Sequence, residues 1–513
     1  MEDRAGLPFR ALLSARVMSP PTVSRLLHRF RQLPCFIAAA AAMILADTAT
    51  AEDAPPPAAA ASAPASGASA PSPGLGEARK MPSQPIDYAL PALEIIGFDF
   101  LLNRANYYFG SNKEDYHVTM ESIRRNLRSS WGTDNDPFNI NQLAHPYQGS
   151  IYYGFARSAG FSYWESAAYT FAGSAFWEIF GETTHPSRND QIASGIGGTF
   201  LGEALFRMSN LVLEHGGGLP RVWREVAAAA IAPSASFNRL VFNDRYGAVF
   251  SSGGAAYYSR LGLGYARSVH DDTTGSDRVH GNEAQIDFSI DYGLPGAKDY
   301  DYRRPFDQFA FQATASSANG FENVLTRGLL IGKAYEAGPS YRGVWGIYGS
   351  YDYIAPQTFR VSTTALSLGT AGHWWLGRDW SLEGSGLAGV GYTAVGSAHG
   401  STSDRDYNYG VTPQALLGLR LTHSDKFAFD VTGREYFVSK VASATSGGHD
   451  NIVRLDAALT WRLHRQHAVS LRYIGNRRDA SFPGGQDVKQ VRNTIGIYYT
   501  LLGQDRFGGV DWR

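Results

Sequence analysis

From about residue 250 onward, apolar and polar side chains alternate with a period of two. No other feature narrows the folds open to this chain as much. In "AQIDFSIDY" (284–292), Ala284, Ile286, Phe288, Ile290 and Tyr292 alternate with Gln285, Asp287, Ser289 and Asp291. In "VRLDAALTWRL" (453–463), Val453, Leu455, Leu459, Trp461 and Leu463 alternate with Arg454, Asp456, Thr460 and Arg462. "TIGIYYTL" (494–501) sets Ile495, Ile497, Tyr499 and Leu501 against Thr494, Gly496, Tyr498 and Thr500. One face is apolar and aromatic, and the other carries charges and glycines. That is the pattern of a transmembrane barrel, with lipid outside and a polar lumen inside. Asp287, Asp291, Arg454, Asp456 and Arg462 are then expected to face the lumen. A soluble sandwich shares the period but uses shorter strands.

About twelve such segments follow, near 255–268, 282–294, 308–318, 324–338, 341–354, 359–377, 380–398, 406–423, 427–439, 449–465, 468–482 and 487–502. Tight connections ("LGRD", "HSDK", "HRQH") alternate with long ones ("GSAHGSTSDRDY", "VASATSGGHD", "RRDASFPGGQDVK"). Short periplasmic turns and long outer loops are the expected asymmetry. Two features depart from it. "PGAKDYDYRRPFD" is long on the side that should be short, and "GQDRFGGVDWR" runs past the last strand without a terminal aromatic.

The N-terminus supports export. Arg25, Arg29 and Arg31 precede the apolar run "CFIAAAAAMILA" (35–46), and Ala49 and Ala51 are spaced for cleavage. The run is too short to span a bilayer. Residues 1–51 are therefore expected to be a signal peptide. Residues 52–86, rich in Pro, Ala and Ser, read as a disordered linker. The single cysteine, Cys35, lies in the signal, which excludes disulfides, a Cys nucleophile and Cys-ligated zinc in the mature chain. Lys and Arg total 46 against 47 Asp and Glu, so no broad basic face exists for nucleic acid.

Residues 87–245 read as helical, giving an α+β chain: an N-terminal helical domain, then an antiparallel transmembrane barrel of about 12 strands over 250–513. The clearest helix opens at Ser187 as N-cap and ends at Gly216. Ser166, Thr170, Ser174, Glu178 and Glu182 recur every four residues, one stripe on a helix otherwise of Ala, Phe, Tyr and Trp. Ser194, Gly198 and Gly202 form a small-residue strip that lets another backbone approach closely. If the two helices form a hairpin, Glu178, Glu182, Asn189, Asp190 and Glu203 converge, with Asn141, His145 and His185 as further candidates. Two poorly solvated glutamates one turn apart cannot both ionise cheaply. Three readings stay open: a buried structural network served by Arg157, Asn189 or backbone donors; a metal or acid–base site with His145; or a docking surface. The structural reading is the leading one, with no metal, cofactor or committed catalytic residue. No Gly-x-Ser-x-Gly elbow, Walker loop, dinucleotide fingerprint or His-Glu-x-x-His is present.

Residues 141–207 carry Asn141, His145, Pro146, Tyr147, Gly149, Trp177, Glu178, Glu182, Ser187, Asp190, Gly198, Gly202 and Glu203. On these the region (about 99–212) resembles the bacterial domain-of-unknown-function family numbered 3943. That resemblance implies no activity. The expectation is a Gram-negative outer-membrane protein serving envelope structure or small-solute passage. Its helical domain is expected on the periplasmic side or in the lumen. Its partners are expected to be outer-membrane lipid and the barrel assembly machinery, with a periplasmic partner left open. The alternative is an outer-membrane hydrolase acting on lipid or cell-wall material through His145, Glu178 and Glu182.

Overall fold

The computed structural model describes residues 87–510 except 111, 217–218, 273–278, 298–299, 398–404, 406, 440–447, 482–486 and 504–506. The expected signal peptide and linker lie outside the described residues.

The period-two segments form twelve antiparallel strands: β1 (Tyr257–Asp272), β2 (Val279–Tyr292), β3 (Phe309–Ser316), β4 (Asn323–Glu336), β5 (Tyr341–Ile354), β6 (Phe359–Trp375), β7 (Trp380–Ser397), β8 (Tyr407–His423), β9 (Phe427–Ser439), β10 (His449–His464), β11 (His467–Ser481) and β12 (Val488–Leu502). Each pairs with its sequence neighbours and β12 closes on β1, so the sheet has no edge. Closure matters because an open edge in lipid would leave backbone groups without partners. Alternation then assigns every side chain to a face. On β10, Arg454 is buried inside, while Leu459 and Trp461 stand outside at 46% and 65% exposure. Asp287, Asp291, Asp456 and Arg462 share the inner parity, and Ile286, Phe288, Leu455 and Leu463 the outer one.

Tight turns (376–379, 424–426, 465–466) lie at the barrel end that holds both ends of the strand sequence. The long connection 293–308, which breaks that asymmetry, completes the wall beside the short β3. The Phe306 amide donates to the Leu329 carbonyl at 2.6 Å, and the Phe306 ring lies on Gly328, where a Cβ would be 2.4 Å away.

The helices are α1 (Ala89–Phe109), α2 (Met120–Asn126), α3 (His145–Ser158), α4 (Tyr163–Phe176), α5 (Arg188–Ile192), α6 (Gly198–His215), α7 (Arg221–Ile231), α8 (Pro233–Val241) and α9 (Asn243–Tyr246). Three π-helical turns interrupt or extend them: Ile140–Ala144, Trp177–Gly181 and Ala193–Gly197. α4 starts at a capping box between Ser162 and Glu165. α5 starts at Ser187, whose hydroxyl accepts from the Asp190 amide. The small-residue strip meets α3. Gly198 lies against Gly149, Gly202 against the Tyr153 ring, and a Cβ on Gly149 would come 2.0 Å from the Ser194 carbonyl oxygen.

The bundle of α1, α3, α4 and α6 stands beside the barrel, not within it. Phe200 packs on Gly349, and Gly197 on Thr364 and Tyr351. Phe138, Tyr153, Leu201 and Met208 share one core with Leu261, Phe288, Ile290, Phe311, Ala313 and Val324, all on the outer face of β1–β4. The Asn141 amide donates to Tyr407 Oη at 2.8 Å and Gln142 to Tyr409 Oη at 2.9 Å, again outward side chains. Of the two expected positions, on the periplasmic side or in the lumen, these contacts do not support the lumen. The bundle presents an apolar face that matches the outer wall, whereas the lumen is lined with charges.

Candidate functional site

The lumen is the first candidate. Its strands point arginines and carboxylates inward at alternate positions, and the pairs reach across the barrel. Arg260 on β1 contacts Asp430 on β9 at 3.0 Å. Arg420 on β8 contacts Asp430 at 2.7 Å, Asp291 on β2 at 2.9 Å and Glu383 on β7 at 3.3 Å. Arg472 on β11 contacts Asp287 on β2 at 2.7 Å and also Asp456 on β10. Arg454 donates to Asn476 at 2.8 Å and Asn323 at 3.1 Å. Paired in this way, each charge recovers part of its desolvation cost. Between these layers lies a cavity of about 160 Å³, lined among others by Arg260, Asp291, Arg327, Asp352, Glu383 and Arg434. That space holds several waters or one small solute.

Among the described residues, each end of the barrel carries its own set of contacts. At the tight-turn end, Phe507 and Val510 from the C-terminal extension pack with Tyr258, Leu294, Leu502 and Trp375. Trp375 Nε1 donates to the Val510 carbonyl at 3.0 Å, and the Arg462 guanidinium lies 4.8 Å from the Phe507 ring centroid. At the opposite end, Arg492 contacts Glu283, and Glu322 at 3.3 Å, and donates to the Pro356 carbonyl. Gln357 donates to Glu283 at 3.0 Å. Arg420, Arg472 and Arg492 escaped the sequence reading although inner parity within their strands marks them. The extension past the last strand was visible, but its destination was not.

The second candidate is the carboxyl cluster at the end of the bundle. Glu178 is buried, and its Oε2 accepts from the Ser187 amide at 2.8 Å. Glu182 is partly buried and accepts from Trp177 Nε1 at 2.6 Å and Thr184 Oγ1 at 2.9 Å. Asp190 accepts from the Ser187 hydroxyl and from Asn189 Nδ2, the latter at 3.0 Å. Asn189 also donates to Tyr409 Oη at 2.8 Å, and Asn141 to Asp134 at 2.9 Å. Four of the five expected to converge, Glu178, Glu182, Asn189 and Asp190, thus do so. Glu203 does not. It lies in a separate network, with Arg157 at 3.0 Å, Arg207 at 2.7 Å and Tyr153 Oη at 2.7 Å. Arg157, expected to serve Glu178 or Glu182, serves Glu203 instead, because α3 presents it to α6 and not to α4. His185 is exposed and contacts only Ser129 Oγ, at 3.0 Å. Among the described residues, no three His, Cys, Asp or Glu are placed to hold a metal ion.

Burial, with Asp190 and Glu182 nearby, holds the Glu178 carboxyl well above its usual range. Burial, with Asp134 nearby, does the same to Asp190. Burial raises Glu182 to about 7 against the neighbouring His145. Burial lowers His145, partly offset by Glu182, Asp134 and Asp136. His145 Nδ1 lies 3.2 Å from Ser194 Oγ, but the two are 6% and 2% exposed, and this sealed pair lends no support to hydrolysis.

The raised carboxyls make a pH prediction. A folded-state pKa above the unfolded value gives stability that is present below about 4.5 and lost as pH rises through about 7 for Glu182. Glu178 and Asp190 act in the same direction. His145 acts oppositely, but only as pH falls below the ordinary histidine value of 6.5. The helical far-UV signal should therefore melt at a lower temperature at pH 8 than at pH 6.5, with a smaller difference in Glu182→Gln. An equal or higher midpoint at pH 8 would contradict the assignment.

A closed twelve-stranded wall with a charged interior and an apolar exterior is an outer-membrane β-barrel, here joined to a helical domain, and the chain belongs to the outer membrane. Residues 130–234 match the family described as a domain of unknown function, DUF3943. No curated protein matches the chain. Solved structures similar to it include the NanC porin, at 9% identity, covering 46% of this chain and 98% of that one with a TM-score of 0.24. The KdgM porin is similar at 8% identity, covering 46% and 98%, with a TM-score of 0.21. The outer membrane channel DcaP of Acinetobacter baumannii is similar at 7% identity, covering 49% and 99%, with a TM-score of 0.23.

Proposed function

We propose that the barrel carries a small polar solute through its lumen and is closed at rest by its own C-terminal extension. The observation that carries this reading is the central polar cavity, with Phe507 and Val510 packed at the tight-turn end of the barrel and the Arg492, Glu283 and Glu322 contacts at the other. A barrel of purely structural use needs no solute-sized space at its centre. Phe507 and Val510, with the Trp375 hydrogen bond, hold the extension in place, so opening requires its displacement. Outer-membrane lipid and the barrel assembly machinery are its proposed partners, and the helical domain buttresses one side of the wall.

The test is conductance in planar lipid bilayers. The full chain should conduct rarely. A chain ending at Gly503 should insert equally well and conduct at least tenfold more often. Equal, near-zero conductance from a correctly inserted truncation would favour a structural role.

A further inference from the structure

No helix among the described residues is long and apolar enough to cross a membrane by itself. The placement and surface of the bundle nevertheless put it at membrane depth. We infer that the helical domain is embedded in the outer membrane beside the barrel, with the outer faces of α1 and α4 against lipid acyl chains. This inference is independent of solute passage.

Three observations carry it. The first is what the bundle covers. Phe288, Ile290, Phe311, Ala313 and Val324 point outward from β2–β4, and the bundle buries all of them. These are positions at which the bare wall on β10–β12 exposes Leu455, Leu459, Leu471 and Ile497. A domain that replaces lipid on the transmembrane wall must itself stand at the level of the lipid.

The second is the surface it offers in exchange. The exposed residues of α1 are Ala89, Leu93, Ile96, Gly97, Phe100, Leu101, Ala105, Tyr108 and Phe109, without a charge among them. Asp99, Glu94 and Asn103 turn inward, and Arg104, near the helix end, is half-buried and bonded to Asn103 Oδ1 at 2.9 Å. Asp99 accepts from Tyr152 Oη at 2.5 Å, Glu94 from Asn238 at 3.4 Å, and Asn103 donates to the Gly181 carbonyl at 2.8 Å. Beyond Glu165 in its first turn, α4 exposes only Ala168, Phe171 and Ala172. A water-facing helix is polar outside and apolar inside. Here the order is reversed, so a hydropathy average over the whole helix misses it.

The third is length and ends. α1 has 21 residues, about 31 Å of helix against a hydrocarbon core of about 30 Å. Exposed charges collect beyond its two ends: Lys113, Glu121, Arg124, Arg125 and Arg128 at one, Glu165, Asp244 and Arg245 at the other. Tyr88 and Trp164 sit at the second end and Tyr108 at the first, where interfacial aromatics belong. The apolar face is thus continuous with the lipid belt of the barrel and bounded at its height.

The experiment uses the mature chain, whose only cysteine would leave with the signal, carrying single bimane-labelled substitutions. The variants are Leu93→Cys, Phe100→Cys, Phe171→Cys, Arg124→Cys and Leu459→Cys, reconstituted in phosphatidylcholine vesicles with or without acyl-brominated lipid. Only preparations in which the Leu459→Cys label is quenched by bromolipid are scored. Labels at 93, 100 and 171 should then be quenched by bromolipid as strongly as at 459 and protected from aqueous iodide, while the label at 124 is quenched by iodide. Iodide quenching without bromolipid quenching at 93, 100 and 171 would overturn the inference and place the domain in water.

Discussion

Glu203→Ala is expected to destabilise the helical bundle by about 3–5 kcal/mol, because it strips a buried arginine of its counter-charge. Glu203 is fully buried, and its two oxygens are shared between Arg157 and Tyr153 on one side and Arg207 on the other. After the substitution Arg207 keeps Asp307, at 3.0 Å, but Arg157 keeps no carboxylate, only the Phe161 carbonyl at 2.8 Å and the faces of Phe206 and Phe250. Glu203→Gln should cost less, since Gln preserves the shape and one acceptor. A variant carrying Glu203→Leu with Arg157→Met should regain much of the loss, since Arg207 keeps Asp307 and no buried charge is then left unpaired. Chemical unfolding followed by the helical far-UV signal in detergent measures all three. A loss in Glu203→Ala no larger than in Glu203→Gln would mean that Arg157 finds water, and the network would not be sealed.

The second large effect is at the barrel wall. Leu459→Arg should destabilise assembly by roughly 2–4 kcal/mol, the cost of a charge on the lipid face near the midplane. Leu459 stands outward on β10, opposite Leu471 on β11 and Phe429 on β9. Three residues away, Asp456 points into the lumen beside Arg472. Asp456→Asn should be mild by comparison, because Arg472 retains Asp287 at 2.7 Å. The fraction of protein reaching the heat-resistant folded band on a gel reads both. Equal defects would mean that the strand register is off by one residue, since a one-residue slip exchanges the two faces.

What the sequence decided by itself is local. The period of two along "VRLDAALTWRL" assigns Arg454 and Asp456 to one face and Leu455 and Leu459 to the other, because successive side chains on a strand must point opposite ways. The twelve strands follow, as do the tight turns at "HSDK" and "HRQH". Ser187 and Gly216 bound their helix for equally local reasons, and the Ser194, Gly198 and Gly202 strip announces a close helix contact. Tertiary structure decided where those faces meet. Glu178 and Asp190 fall together across the turn at Ser187, yet Glu203, on the same helical rod as Asp190, turns to α3 and Arg157. Three π-helical turns shift the rotation of side chains along those rods, which a fixed 3.6-residue period does not anticipate. The apolar exterior of α1 is ambiguous in sequence, since core and lipid ask for the same residues. Only the burial of Asp99 and Asn103 on the opposite side shows which face is which. The C-terminal extension carries no period at all, and its place in the lumen comes from Phe507 and Val510 filling a mouth lined by Tyr258, Leu294 and Trp375, residues distant in the chain.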